Sequence, residues 1–442
     1  MGRNVAVQEA LDGDWDLLTL HRRHPGRYPH LLQSATVGGA TARYDILFAF
    51  PERRLDVAAE AFLAALDDEV GARLSAEAEE GPPFRGGWFL YLGYELAYAV
   101  EPVLGDPPPH PWGWETAWAQ YIPAAIVHDH ERGERYAVAA PGRSGLLELI
   151  SADAAAAAAH ACCRAEPQPV ARLSEEPAAR YLEGVERIRR YIREGDVFQA
   201  NLSREWEGEL AEGVDPAALY AALRSANPAP FAGLATWGRR AVISSSPERL
   251  VEVEEGWAAT RPIAGTRPRG ADESSDATLR ETLLAHPKER AEHVMLIDLE
   301  RNDLGRVARP GSVEVDELMV GESYAHVHHI VSNVRAQLRA GVTPGDLIRA
   351  VFPGGTITGC PKVRCMQILR ELEDTARGAY TGALGYLSLH GRMDLNILIR
   401  TLETDSRRLR FRAGAGIVAD SDPESELAET RHKAEGLLRA LQ

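Results

Sequence analysis

The chain has 442 residues, 45% hydrophobic and 26% charged, and its 65 acidic against 49 basic side chains give a net charge of −16. Such a chain makes a large soluble protein with ample core, of two or three domains unless intertwined sheets form one long unit. The acidic balance argues against nucleic acid or an anionic membrane as partner, so an anionic substrate would need local cations.

The opening MGRNVAVQEALDGDW lacks the basic start and apolar run of a signal peptide, so a cytoplasmic location is expected. RYDILFAF, GGWFLYLGYEL, YIPAAIVHDH and RYAVAA read as strands, with DVAAEAFLAALDDEVGARL between them as a helix. The Ala-rich run at Ala154–Ala159 is too short to cross a membrane. It leads into a Pro-rich connector, Pro167–Glu176, which divides an N-terminal α/β region (1–170) packed on the core from a catalytic region (171–442). AARYLEGVERIRRYIREG is expected to be a helix ending at Gly195, followed by strands in VFQANLSREWEG, FAGLATWG and AVISSSPERLVEVEEGWAATRP. From Gly378 to Ala419 the pattern is strands joined by turns at LHGR and TDSRR, with MDLNILIRTL as a strand carrying Arg400. Strands adjoin strands and helices adjoin helices, which predicts a mostly antiparallel α+β fold. Cys162, Cys163, Cys360 and Cys365 show neither metal-ligand spacing nor a disulfide framework.

Two pairs of glutamates stand out. Glu289 and Glu292 lie in HPKERAEHVMLIDLERNDLGR, Glu426 and Glu429 in DSDPESELAETRHKAEGLL. Both stretches read as helices, and residues three apart on a helix share a face. If the two faces meet, crowded carboxylates either rise in pKa or hold a cation, and oxygen-only ligands favour Mg2+. Two solvated acidic faces are the plain alternative. The second pair follows a glycine turn, AGAG with Gly414 and Gly416, and a cap at Ser421 or Asp422 with Pro423 in the first helical turn. Lys433 falls on the same helix face as Glu429. An Arg as apolar in its surroundings as Arg400 needs a carboxylate partner. FPGGTITGCPKVRCMQIL lacks the spacing of a P-loop, and three His in SYAHVHHIVS lack the companions of a zinc site.

PIAGTRPRG, KERAEHVMLIDLERNDLGRV, FPGGTITGCPKVR, GAYTGALGYL, MDLNILIRTL and AGAGIVADSDPESE, in this order between Gln199 and Lys433, resemble the chorismate-utilising enzymes. The resemblance implies a complex sandwich of two large, mainly antiparallel sheets with helices outside, and Mg2+ as cofactor. It implies a metal site at Glu289, Glu292, Glu426 and Glu429. Arg400, Lys433, Tyr380 and the amides of Gly414 and Gly416 would bind substrate carboxylates. Glu248 in SSSPERL would be the general acid for the departing 4-hydroxyl, and Thr266, Thr356 and His329 would line the ring.

Water-adding members of the family carry a general-base Lys where this chain has Gln199, which an amide cannot replace. Ammonia is therefore the expected nucleophile. At position 264 many aminodeoxychorismate synthases carry an attacking Lys; Ala264 is the form typical of anthranilate synthases. Against that, Gln33 and Asp45 replace residues that anthranilate synthases link to tryptophan feedback, and FPGGTITGCPKVRCMQIL and MDLNILIRTL are similar to the aminodeoxychorismate branch. The expectation is conversion of chorismate and ammonia to 4-amino-4-deoxychorismate, with a separate glutamine amidotransferase subunit as partner because no glutaminase motif is present. Anthranilate formation is the first alternative. Isochorismate formation and a non-catalytic chorismate-binding regulator follow.

Overall fold

The computed structural model describes residues 7–13, 15–35, 43–71, 81–158, 169–324 and 327–442. Cys162, Cys163, His326, the first part of the Pro-rich connector and most of the segment between Ser34 and Arg43 lie outside the described residues.

Two antiparallel sheets, of 12 and 10 strands, make the body of the molecule. Alternating strands such as Phe231–Trp237 and Arg240–Ser246 bury both faces, and so need cover on both sides. Between the sheets lies an aromatic layer that includes Phe48, Phe89, Trp118 and Tyr386. Each such ring is worth about 3–5 kcal/mol by the usual cost of truncation to Ala. The outer face of the 12-stranded sheet is covered by the helices Leu17–Arg23, Gly145–Ala158, Pro216–Ala226 and Pro423–Ala440. Helices Ala59–Gly71, Pro287–Gly305 and Pro344–Val351 cover the other sheet. The helix Ala178–Glu194 ends at Gly195, whose φ of 85° is the left-handed cap that glycine supplies at low cost.

Both sheets are continuous across the two segments: in each, a block of strands from 1–170 joins a block from 171–442 at one pairing. His30–Gln33 pairs with Phe231–Trp237 in one, and Gly87–Leu92 with Ala383–Ser388 in the other. The two segments therefore share their cores.

Two expected strands divide. YIPAAIVHDH becomes Ala117–Ile122 in the 10-stranded sheet and Ala124–Asp129 in the 12-stranded one. Pro123 stands at the break, because it has no N–H to give either ladder. MDLNILIRTL becomes Met393–Asn396 and Thr401–Asp405, again in different sheets. Arg400 is thus not a strand residue: it sits at the crossover with a φ of 51°, an uncommon conformation for a residue with a Cβ. The same switch occurs at Pro247–Glu248, between Arg240–Ser246 and Arg249–Glu254.

Candidate functional site

The crossovers at Glu248 and Arg400 meet at a cavity of about 170 Å³. Eight of the expected site residues line it: Glu248, Thr266, His329, Thr356, Tyr380, Arg400, Gly414 and Lys433. A cavity of about 850 Å³ lies elsewhere, but its two carboxylates, Glu254 and Glu255, are exposed. Chemistry that needs a tuned acid favours the smaller one.

Glu248 is 5% exposed. Burial pushes its carboxyl up to about 7, against the smaller opposing effects of Thr356, the Ile263 N–H, Lys433 and Arg400. It therefore holds a proton near neutral pH and can deliver it. Thr356 stands beside it without a well-formed bond, since its buried Oγ1 has no partner. Two further buried oxygens nearby are unpartnered, Asn201 Oδ1 and Gln199 Oε1. Buried polar atoms in native proteins are nearly always bonded, and an orphan group around one cavity points to a polar ligand.

Arg400 is the strongest such sign. Its guanidinium is pushed down by burial, opposed by the charge of Glu248, and among the described residues no carboxylate stands within ion-pair distance of it. Among those residues, the carboxylate partner expected from the sequence is not supplied. Even a partly buried cation of this kind is costly unless a ligand anion completes it.

His329 pairs with Thr266 across the Ile263–Pro268 and Val327–Gln337 strands. A bulge at Gly265, with φ 63°, sets that register. His329 Nδ1 lies 3.2 Å from the Gly265 carbonyl and 3.1 Å from Thr266 Oγ1. A carbonyl only accepts, so Nδ1 carries the hydrogen and Nε2 is the free acceptor. Burial first, then Arg400, depresses the imidazole to about 4, so it works as a neutral ring.

Three of the expected binding residues lie just outside the cavity lining. In the ladder that joins Gln199–Leu210 to Arg408–Ile417, Gly416 pairs with Asn201, two residues along from Gln199. A Cβ at Gly416 would stand 2.2 Å from Gln199 Nε2, and one at Gly414 would stand 2.7 Å from Tyr380 Oη. The two glycines thus make room for protein side chains. Lys433 Nζ donates to the Gly414 carbonyl at 3.0 Å and pairs with Glu429 at 2.8 Å. Ala264 sits opposite Ile330, in the bulged strand.

The helices Pro287–Gly305 and Pro423–Ala440 carry the glutamates. Pro287 and Pro423 occupy first-turn positions, and the Asp422 side chain caps the second helix by accepting from the Ser425 N–H. Burial raises the Glu292 carboxyl, and Glu289, Glu426 and Glu429 raise it further against Lys288. Burial also raises Glu426; Ser421 opposes this and Glu429 adds to it. The two acidic faces therefore feel one another. Each also has a protein partner: Arg267 donates to Glu289 at 3.2 Å, Lys288 stands at 4.0 Å from Glu292 as an ion pair, Ser421 serves Glu426 and Lys433 serves Glu429. Among the described residues, their oxygens do not gather within 4.8 Å as the ligand atoms of Asp45, His128 and His130 do. An oxygen-only set whose charges push Glu292 and Glu426 upward fits a hard divalent cation such as Mg2+ in donor type and charge.

Sequence reasoning missed Asn201 and Arg412, which also line the cavity. Arg412 donates to Ser203 Oγ at 3.0 Å and to Glu205 at 3.0 Å. The signal was there: Arg408, Arg410 and Arg412 alternate along one strand, so they share a face, on which Arg410 and Arg412 are buried. Another buried acid, Glu300, was also missed; burial, then Asp303, pushes it up to about 8.

The family model for chorismate binding enzymes matches residues 33–439. The chain is 39% identical over 439 residues to anthranilate synthase component 1 of Streptomyces coelicolor, covering 94% of this chain and 84% of that protein. It is 48% identical over 262 residues to aminodeoxychorismate synthase component 1 of Bacillus subtilis, covering 59% of this chain and 55% of that one. The crystal structure of anthranilate synthase component I from Streptococcus pneumoniae superposes with a TM-score of 0.78 at 30% identity, over 91% of this chain and 93% of that one.

Proposed function

This chain belongs to the chorismate binding enzyme family and is an enzyme of the anthranilate synthase/aminodeoxychorismate synthase type, and on that premise we propose that it aminates chorismate to 4-amino-4-deoxychorismate. The observation that carries the reading is Arg400, a partly buried guanidinium with no carboxylate in ion-pair distance among the described residues, facing an acid poised near neutrality. Chorismate is a dicarboxylate with a hydroxyl to lose. Arg400, with Lys433 and Tyr380, holds a carboxylate. Glu248 gives its proton to the departing 4-hydroxyl, which leaves as water. The uncharged Gln199 favours ammonia over water as nucleophile.

Glu289, Glu292, Glu426 and Glu429 would hold Mg2+, which when bound supplies positive charge to a substrate carboxylate. Without a Lys at Ala264, the protein has no nucleophile of its own there. Ammonia adds at C2 as the hydroxyl leaves, and returns a proton to Glu248. A second ammonia then adds at C4 as the C2 amine takes the Glu248 proton and leaves as ammonia, and the new ammonium returns a proton to Glu248. The intermediate, 2-amino-2-deoxyisochorismate, stays noncovalent. A separate glutamine amidotransferase subunit would supply the ammonia. Among the described residues no helix is long and apolar enough to cross a membrane, and we place the enzyme in the cytoplasm.

Support for the 4-amino product comes from Gln33 and Asp45. Gln33 Nε2 donates to Asp45 at 3.1 Å, and Arg224 to Gln33 Oε1 at 2.8 Å, so these replacements form their own bonded network. Ala264 and the anthranilate synthase relatives favour the second reading, expulsion of pyruvate to give anthranilate. Mass spectrometry of the product made from chorismate, Mg2+ and ammonium salt tests both. An aminated product that keeps the enolpyruvyl group and converts to 4-aminobenzoate with a lyase supports the proposal. Anthranilate overturns the choice of product, and unconsumed chorismate overturns the enzymatic reading. Supplied 2-amino-2-deoxyisochorismate should be converted with ammonia, and a peptide carrying the substrate skeleton would rule out the noncovalent route.

A further inference from the structure

Asp45, His128 and His130 share no residue with the catalytic cavity. Asp45 on the strand Tyr44–Ala49 stands directly across from His128 on Ala124–Asp129. Directly opposed residues share a face of the sheet, as do residues two apart on one strand. The ladder runs on through the His130 N–H, which donates to the Arg43 carbonyl at 2.9 Å. One ligand atom from each of the three side chains lies within 4.8 Å of the other two. The two imidazole centroids are 4.2 Å apart, and His130 Nε2 is 3.1 Å from Asp45 Oδ1. Two ligands of one tetrahedral ion with bonds of about 2.1 Å stand roughly 3.4 Å apart.

The carboxylate is held from behind. The Ser34 N–H donates to Asp45 Oδ1 at 2.8 Å, Gln33 Nε2 donates to Oδ2 at 3.1 Å, and Arg224 fixes Gln33. Such an outer shell fixes a metal ligand's orientation. The nearby cations are turned to other groups: Arg224 to Asp16, Arg43 to Asp129 and Glu131, and Arg135 to the Gly13 carbonyl and the Trp15 ring. The His130 side chain is 36% exposed, which gives an ion a way in and water a place to complete the shell. An ion pair already joins Asp45 and His130, and His128 brings a second imidazole to the same carboxylate.

We propose that Asp45, His128 and His130 form a metal site for a borderline divalent ion of the Zn2+ class, clipping two neighbouring strands of the 12-stranded sheet. Its two nitrogens select against Mg2+, which prefers oxygen ligands throughout. The glutamate cluster and this site therefore take different ions.

The test is Co2+ titration of the full, tag-free chain after chelator treatment, in excess Mg2+ so that carboxylate sites are filled. Wild type should bind one Co2+ with visible d–d absorption of a four- or five-coordinate nitrogen site, and Zn2+ should abolish the bands. His128→Gln and His130→Gln should lose the bands and bind Zn2+ at least about a hundredfold more weakly, while Gln33→Leu, in the outer shell, should cost about 10–100-fold. Circular dichroism shows that each variant is folded. No bands in wild type, or a folded His128→Gln with unchanged Co2+ binding, would overturn the proposal and leave a plain ion pair.

Discussion

The cavity and the glutamate cluster both gather charge, but they balance it differently. Around the cavity, partners are missing: among the described residues no carboxylate pairs with Arg400, and Thr356, Asn201 and, just outside the lining, Gln199 keep unpartnered oxygens. At the glutamates every carboxylate has a partner at hand, in Arg267, Lys288, Ser421 and Lys433. A buried site can hold its charges uncompensated because the rest of the fold sustains the cost. A half-exposed one exchanges its companions easily. The cavity is built for one shape of ligand, and the cluster for an ion that displaces lysines.

The largest expected effect lies at the cluster. Glu292→Ala should cut turnover by about a thousandfold or more, since a cation site supplies several kcal/mol and each 1.36 kcal/mol is tenfold. A chelator should do the same to wild type. Full turnover in excess chelator would remove the cation from the comparison.

Next comes Glu248→Gln, with turnover down roughly a hundredfold to ten-thousandfold and substrate affinity little changed. The pH dependence has a definite sign. The folded state holds this proton more tightly than the unfolded chain, from an ordinary 4.5 up to about 7. Its contribution to stability is therefore present below about 4.5 and is lost as pH rises to about 7 and beyond, and turnover that needs the protonated acid should fall over the same upper limb. Denaturant melts of wild type and variant across this range check it; parallel pH curves would show that Glu248 is not the group responsible.

Arg400→Gln should raise the substrate dissociation constant by about 10–150-fold, the 1.5–3 kcal/mol of a hydrogen bond to a charged group. A variant that binds substrate normally would mean that this cation serves the fold alone. The smallest effect is Gln199→Lys, which puts an amine where water-adding relatives carry a base. Traces of isochorismate are expected by mass spectrometry. Its appearance in wild type would be fatal to amination.

Much of this was legible in local pattern. The helix caps at Gly195 and Asp422, the two E-x-x-E helices and the antiparallel pairing follow from spacing and turn chemistry. The sheet switches were not legible: YIPAAIVHDH and MDLNILIRTL read as single strands because hydrophobic periodicity records burial, and both sheets bury both faces. Only tertiary partners reveal that Pro123 and Arg400 change layer. Asn201 and Arg412 were missed for a related reason, since a polar residue inside a strand looks alike whether it meets a ligand or another side chain. The Asp45, His128 and His130 convergence comes from cross-strand register, which no spacing along the chain encodes.

The late strands have a consequence for how the chain is made. Remove Ala383–Ser388 and Met393–Asn396, and the 10-stranded sheet falls into two pieces; remove Thr401–Asp405 and Arg408–Ile417, and so does the other. During synthesis, then, neither sheet can close until nearly the whole polypeptide has left the ribosome. Non-local pairing of this kind is slow, and the nascent chain displays open strand edges throughout translation. Expression yield should therefore respond to chaperone supply and growth temperature more than to small changes in final stability.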